Sequence, residues 1–233
     1  MKLIDVVVTG PMYVNSCVVH LVGSKVFITD PACCSRSKDE AVLTDYLDER
    51  QLEPVAVLLT HGHFDHVSGL KSIKKRWPEL PVFIHEADSA CIGHDSAVEQ
   101  GKALALARYT SFLPECSDLP EADGFLCDGQ TLGELPLKDI SSDTKDALNK
   151  WKVLSTPGHT RGSVCLYNAE EKILIAGDTV FYHAWGRTDL PGGSERRIMD
   201  SLKKLFRELP PDTKVYPGHE YYGFELRENF NFI

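Results

Sequence analysis

The chain has 233 residues, 42% of them hydrophobic, and a formal net charge of −9 at pH 7. That length fits one large domain with a sizeable core. The acidic balance argues against nonspecific nucleic-acid binding, which needs a basic surface for phosphates, so no nucleic-acid partner is expected. No stretch reaches the roughly 20 apolar residues of a membrane span, so no membrane partner is expected either. Met1-Lys2-Leu3-Ile4-Asp5 lacks the basic region, apolar core and cleavage site of a signal peptide, and the expectation is a soluble cytoplasmic protein.

In chain order, Leu3 to Val8, Ser16 to Leu21 and Lys25 to Thr29 read as strands, with Gly23-Ser24 a tight turn between the last two. Cys33-Cys34 follow the third strand. The seven cysteines are odd in number and contain no Cys-x-x-Cys pair, so neither a disulfide framework nor a thiolate zinc site is expected. Buried inert thiols are the better reading. Ser37-x-x-Glu40 reads as a capping box opening a helix with Leu43, Tyr46 and Leu47 on one face.

Next comes an apolar strand, Val55 to Leu59, and directly after it Thr60-His61-Gly62-His63-Phe64-Asp65-His66. Imidazoles and a carboxylate at this density form a metal-ligand set. A position at the end of a buried strand suits a binding crevice in an α/β protein. A second helix runs from about Ser68 to Trp77 and stops before Pro78, with Lys71, Lys74, Lys75 and Arg76 as a solvated face. Pro81 to His85 is a short strand. Val98 to Phe112 has helical composition, Pro114 to Gly129 looks irregular, and Asp143 to Leu148 reads as a short helix.

Strands are then expected near Trp151–Leu154, Cys165–Tyr167, Ile173–Ala176 and Lys214–Tyr216. Between the last two lies a helix from about Glu195 to Leu209, with Ile198, Leu202, Leu205, Phe206 and Leu209 as a buried stripe. Three of these strands run into turns that carry further donors: Pro157-Gly158-His159, Gly177-Asp178-Thr179 and Pro217-Gly218-His219. Each alone would be only a turn.

Together, the His-x-His-x-Asp-His stretch and the three later strand-end turns resemble the signature of the metallo-β-lactamase-fold superfamily, in its order. The resemblance runs from about Leu3 to the C-terminus, apart from the middle segment. It implies an α/β fold built as a four-layer αββα sandwich with an inserted middle segment, in one domain over 1–233, of which about 88–150 is variable. The hairpin near Pro136–Lys150 carries an insertion of the kind that forms a lid or a homo-oligomer contact, or is a passive surface excursion.

The same resemblance implies two divalent metal ions. His61, His63 and His159 would hold one, Asp65, His66 and His219 the other, and Asp178 would bridge both. Zinc suits these donors, as do iron and manganese. A metal-bridging hydroxide would be the nucleophile, with Asp65 helping to orient it. The oxygen-reducing diiron branch has Glu where this chain has His63. Class B β-lactamases usually differ at one or more ligand positions and are exported. Gly186-Arg187-Thr188-Asp189 resembles two other branches: glyoxalase II-like hydrolases and persulfide dioxygenases. Arg187 and Asp189 would be either an ion pair bracing the metal loops or a surface pair.

Gly218-His219-Glu220-Tyr221 leans to the hydrolases, so the expected activity is hydrolysis of hydroxyacyl-glutathione or a related small thioester. The alternatives are a mononuclear iron dioxygenase acting on a persulfide and a metal-binding protein without catalysis. His20, His85, His94 and His183 are read as structural.

Overall fold

The computed structural model describes residues 2–231. Two sheets form the centre. The first contains β1 (Ile4–Thr9), β2 (Val14–His20), β3 (Lys25–Thr29), β4 (Glu53–Leu58), β5 (Val82–Ile84) and β6 (Gly124–Phe125), in that spatial order. Its first three strands are antiparallel, and from β3 onward the neighbours are parallel. The second sheet has the order β13-β12-β9-β8-β7, from β7 (Trp151–Ser155), β8 (Val164–Asn168), β9 (Ile173–Gly177), β12 (Lys214–Pro217) and β13 (Phe224–Glu225). β10 (Val180–Phe181) and β11 (Ala184–Trp185) make a separate small hairpin.

The layering follows from alternation within the strands, whose successive side chains point to opposite faces. In β3 and β4, Phe27, Ala56 and Leu58 point inward and meet Trp151, Val153, Leu166 and Ile175 of the second sheet. Phe27 and Trp151 make an edge-to-face contact at 5.4 Å across that interface. The alternate residues Val26, Ile28 and Val57 point outward, against α1 (Val42–Glu49), α3 (Leu70–Arg76) and α4 (Ser96–Leu106). On the far side α7 (Glu195–Glu208) covers Cys165, Leu174 and Val215 with Ile198, Leu202 and Leu205. This is the four-layer sandwich implied by the resemblance. No helix among the described residues is long and apolar enough to cross a membrane.

Local departures from the expected elements occur at three places. Ser37 does not cap α1. It sits in a 3₁₀ turn, Ser35–Ser37, and its hydroxyl is spent on the Cys34 carbonyl and the Asp39 carboxylate. Asp39 also accepts from the Gly10 and Cys34 amides, so it ties down the loop and leaves the helix to begin at Val42. The segment 136–150 contains α6 (Ser142–Asn149) as expected. Leu135 and Leu148 are buried against Trp151, closing one end of the inter-sheet core. None of its residues lines the cleft described below. The helix after the histidine stretch is split into α2 (Phe64–Val67) and α3, and α5 (Leu113–Cys116) interrupts the stretch read as irregular.

Candidate metal centre

The site lies where strands of both sheets end. The β4 strand delivers His61 to His66, β7 leads to His159, β9 to Asp178 and β12 to His219. Two backbone hydrogen bonds join the sheets at this edge: Val164 N donates to Thr60 O at 2.8 Å, and Asn15 N to Gly218 O at 2.7 Å. The Asn15 side-chain Nδ2 donates to the Pro217 and Glu220 carbonyls, fixing the loop that carries His219.

All seven residues singled out in the sequence as metal donors come together. One atom each from His61, His63 and His159 falls within 4.8 Å of the others, and so does one each from Asp65, His66 and His219. Asp178 stands between the groups. Its Oδ2 is 3.4 Å from His159 Nε2 and 3.5 Å from His219 Nε2, and its Oδ1 is 3.4 Å from His66 Nε2.

The outer partners of the rings determine which nitrogens carry lone pairs. His159 Nδ1 is 2.7 Å from the Arg187 carbonyl, and His219 Nδ1 is 2.9 Å from the Met12 carbonyl. A carbonyl only accepts, so both Nδ1 atoms are protonated, and in the neutral ring it is Nε2 that would offer its lone pair to a cation. His61 Nδ1 faces Thr60 Oγ1, which itself donates to Asp30, so His61 Nε2 is also a lone pair. His66 Nδ1 faces the Asp30 carboxylate at 3.1 Å.

His61 Nε2 then lies 3.2 Å from His159 Nε2 with no proton to share, and His66 Nε2 lies 3.1 Å from His219 Nε2, each beside the Asp178 carboxylate. Among the described residues Asp178 Oδ1 is buried without a hydrogen bond. Converging lone pairs at the three-histidine group and a cluster of ionisable donors around a buried carboxylate at the other are what divalent cations would hold. The donors therefore fit two divalent metals.

Electrostatics distinguish the two groups. Burial, reinforced by neighbouring imidazoles, holds the His61 ring well below the usual imidazole range and takes His63 down to about 3, so both are neutral donors. Burial would lower His219 and His66 too, but Asp178 and Asp65 outweigh this, raising His219 to about 10 and His66 well above the usual imidazole range, so a cation at this group would displace imidazole protons. Asp178 is held well below the carboxylate range: burial opposes ionisation, and His66 and His219 more than offset it.

The residues that hold the donors in place belong to no motif in the sequence. Asp30 takes the Thr60 amide and hydroxyl at 2.8 and 2.6 Å while facing His66. Asp88, buried, accepts from Gly62 N at 3.0 Å, Thr160 Oγ1 at 2.6 Å and Gly162 N at 2.8 Å, so it welds the His61–His63 loop to the His159 loop. Gln100 donates to the Gly62 and Cys91 carbonyls. Asp88 and Gln100 lie in the stretch read as variable, so part of that stretch supports the site. Their signal was a lone carboxylate and amide beside apolar residues, which is too common to single out.

Arg187 and Asp189 form a two-bond ion pair at 2.7 Å, with side chains half to two-thirds exposed. The pair is a surface feature, and the bracing of His159 comes from the Arg187 carbonyl. Gly186 permits that approach, because a Cβ there would fall 1.9 Å from Asp178 O. His183 is exposed, stacks on Tyr182 and donates its backbone N–H to Asn229. His183→Ala is expected to leave metal content, read by mass spectrometry, unchanged. Cys33 is buried and pushed up to about 12 by burial, and Cys34 is buried beside it.

The donors face a cleft of about 700 Å³, walled by Phe64, Tyr109, Phe181 and Leu190 and floored by Asp65 and Asp178. A mixed α/β sandwich with a histidine–aspartate centre at its strand ends defines a class of metal-dependent hydrolases. The profile of the Metallo-beta-lactamase superfamily matches residues 9–219, and the chain belongs to that superfamily.

It is 31% identical to the probable metallo-hydrolase YqgX of Bacillus subtilis, over 76% of this chain and 74% of that one. It is also 31% identical to a hydroxyacylglutathione hydrolase of Pectobacterium atrosepticum, over 78% of this chain but only 54% of that protein. Among solved structures, the BLEG-1 B3 metallo-beta-lactamase superposes with a TM-score of 0.78 at 26% identity, covering 98% and 96% of the two chains. TTHA1623 in a di-iron-bound form superposes at 0.70 with 28% identity, covering 98% of each.

Proposed function

We propose that this protein is a binuclear metal-dependent thioesterase of the glyoxalase II type, acting on hydroxyacyl-glutathione or a related small thioester. The observation that carries the reading is the pair of three-donor groups sharing Asp178 at the floor of an aromatic-walled cleft. Its closeness to a hydroxyacylglutathione hydrolase supports the thioester, and the di-iron form of TTHA1623 supports two metals. His61, His63 and His159 would hold one cation, Asp65, His66 and His219 the second, and Asp178 would touch both. Zinc is the proposed metal, with iron and manganese suited to the same donors.

Such cations would lower the pKa of a shared water from about 15.7 in bulk towards about 7 and polarise a carbonyl. The chain supplies the rest. Asp65 lines the cleft, ionised, where it can hold the proton of the attacking water and so orient it. The carbonyls of Met12 and Arg187 and the Asp30 carboxylate keep the donor rings turned and in the right tautomer. Phe64, Tyr109 and Phe181 exclude bulk water from the carbonyl. Attack by water on the thioester carbonyl breaks the C–S bond and yields a carboxylate and a thiol. No side-chain nucleophile is required.

The test follows thioester absorbance of S-lactoylglutathione, with and without chelator, beside a β-lactam because of the BLEG-1 likeness. Chelator-sensitive thioester loss is the expected result. β-Lactam hydrolysis without thioester loss would overturn the substrate and keep the metal chemistry.

A further inference from the structure

A charged residue at the wall of the cleft lies outside the donor set and its supports. After α4 ends at Leu106, Tyr109 N donates to Leu104 O at 2.9 Å and Arg108 N to Ala105 O at 3.2 Å. That is a Schellman closure, whose left-handed position is usually glycine because a side chain there strains the backbone. Here the position holds Arg108, at φ 56°.

The turn brings Ala107, Arg108 and Tyr109 to the cleft. The platform beneath is fixed: Tyr109 stacks on Phe112 at 5.4 Å, and its hydroxyl accepts from Arg36 Nε at 2.9 Å. The other arginine lining the cleft, Arg187, is occupied by Asp189. Among the described residues the Arg108 guanidinium has no side-chain or backbone partner. The carboxylates facing the cleft are Asp65 and Asp178 of the metal centre and Glu220, which is exposed.

We infer that Arg108 is a specificity-determining residue that pairs with a carboxylate on the leaving thiol of the substrate, and that the enzyme therefore prefers acidic over neutral thioesters. The inference rests on the thioesterase reading. With the scissile carbonyl at the donors, the thiol portion must extend along the wall, where Arg108 is the cation not already neutralised by the protein. A guanidinium matches a carboxylate with two parallel N–H donors.

The experiment compares S-lactoylglutathione, whose thiol bears two carboxylates, with the neutral S-lactoyl-N-acetylcysteamine, using metal-loaded wild type, Arg108→Gln and Arg108→Gly. Arg108→Gly relieves the left-handed strain, so a loss in that variant is not a folding defect. Both variants should lose about ten-fold in kcat/KM on the acidic thioester, mainly through KM, and change the neutral one by less than about two-fold. The difference should shrink at high ionic strength. Equal losses on both substrates, or none on either, would overturn the inference.

Calorimetric binding of S-methylglutathione and of its diethyl ester gives a readout independent of turnover. Wild type should bind the acid about ten-fold more tightly than the ester, and Arg108→Gly should bind the two alike. If wild type cleaves neither thioester, the thioesterase reading fails and this binding ratio still decides the role of Arg108. Equal or undetectable binding of both forms in wild type would overturn that role.

Discussion

Asp178→Ala is expected to empty both metal positions and to lower kcat/KM on the order of 10³-fold. Its carboxylate is the group that reaches toward His159 on one side and His66 and His219 on the other. Without it each cation keeps three donors, and the two like charges lose the anion between them. In the metal-free protein the Asp178 carboxylate is the counter-charge of His66 and His219, which hold it ionised against burial. Removing it should lower the metal-free melting temperature, because those buried imidazoles lose that partner. The stabilisation gained on adding metal should largely vanish. Retention of two metal equivalents with normal turnover would refute the shared role of Asp178.

The second large effect belongs to a residue outside the proposed donor set. Asp88→Ala leaves the Gly62 and Gly162 amides and the Thr160 hydroxyl without their acceptor in a buried setting. Each such loss costs about 1–3 kcal/mol, so a total of about 3 kcal/mol or more is expected. For a chain of this size that lowers the melting temperature by roughly 6–12 °C. The loops bearing His61, His63 and His159 would also lose their common anchor, and affinity for the metal at those three rings should fall about 10–100-fold, measured by chelator competition well below the melting point. Asp88→Asn should do less harm, since one amide oxygen can still accept. An alanine variant with wild-type melting and wild-type metal affinity would show that the loops are held by other contacts.

Asp88 also shows what the sequence conceals. The proposed donors were legible because they cluster in six residues after an apolar strand, then recur at three strand-end turns. Strands such as Lys25–Thr29 and the stripe of α7 were legible because alternation and 3.6-residue periodicity are written locally. The residues that aim the donors are not local. Asp30 is 30 positions from Thr60, and Asp88 is 72 from Thr160. Only the fold brings them together, and nothing about a single aspartate announces three partners.

The capping box failed for a related reason. Ser37 had the right spacing to Glu40, but Asp39 drew its hydroxyl away by holding the Gly10 and Cys34 amides. Arg187 lies where the resemblance places it, yet its carbonyl and not its guanidinium reaches His159. The segment 136–150 looked like an excursion because its apolar residues are sparse, and two of them, Leu135 at its edge and Leu148 within it, are enough to close the inter-sheet core.

A binuclear centre is tested most directly by a metal count on the protein purified without chelator, combined with anomalous scattering to locate each ion. Two ions per chain are expected, one at His61, His63 and His159 and one at Asp65, His66 and His219, both in contact with Asp178. A single iron at the three-histidine group, with Asp65 and His66 uncoordinated at saturating metal, would contradict it and point to oxygen chemistry on a persulfide instead of hydrolysis.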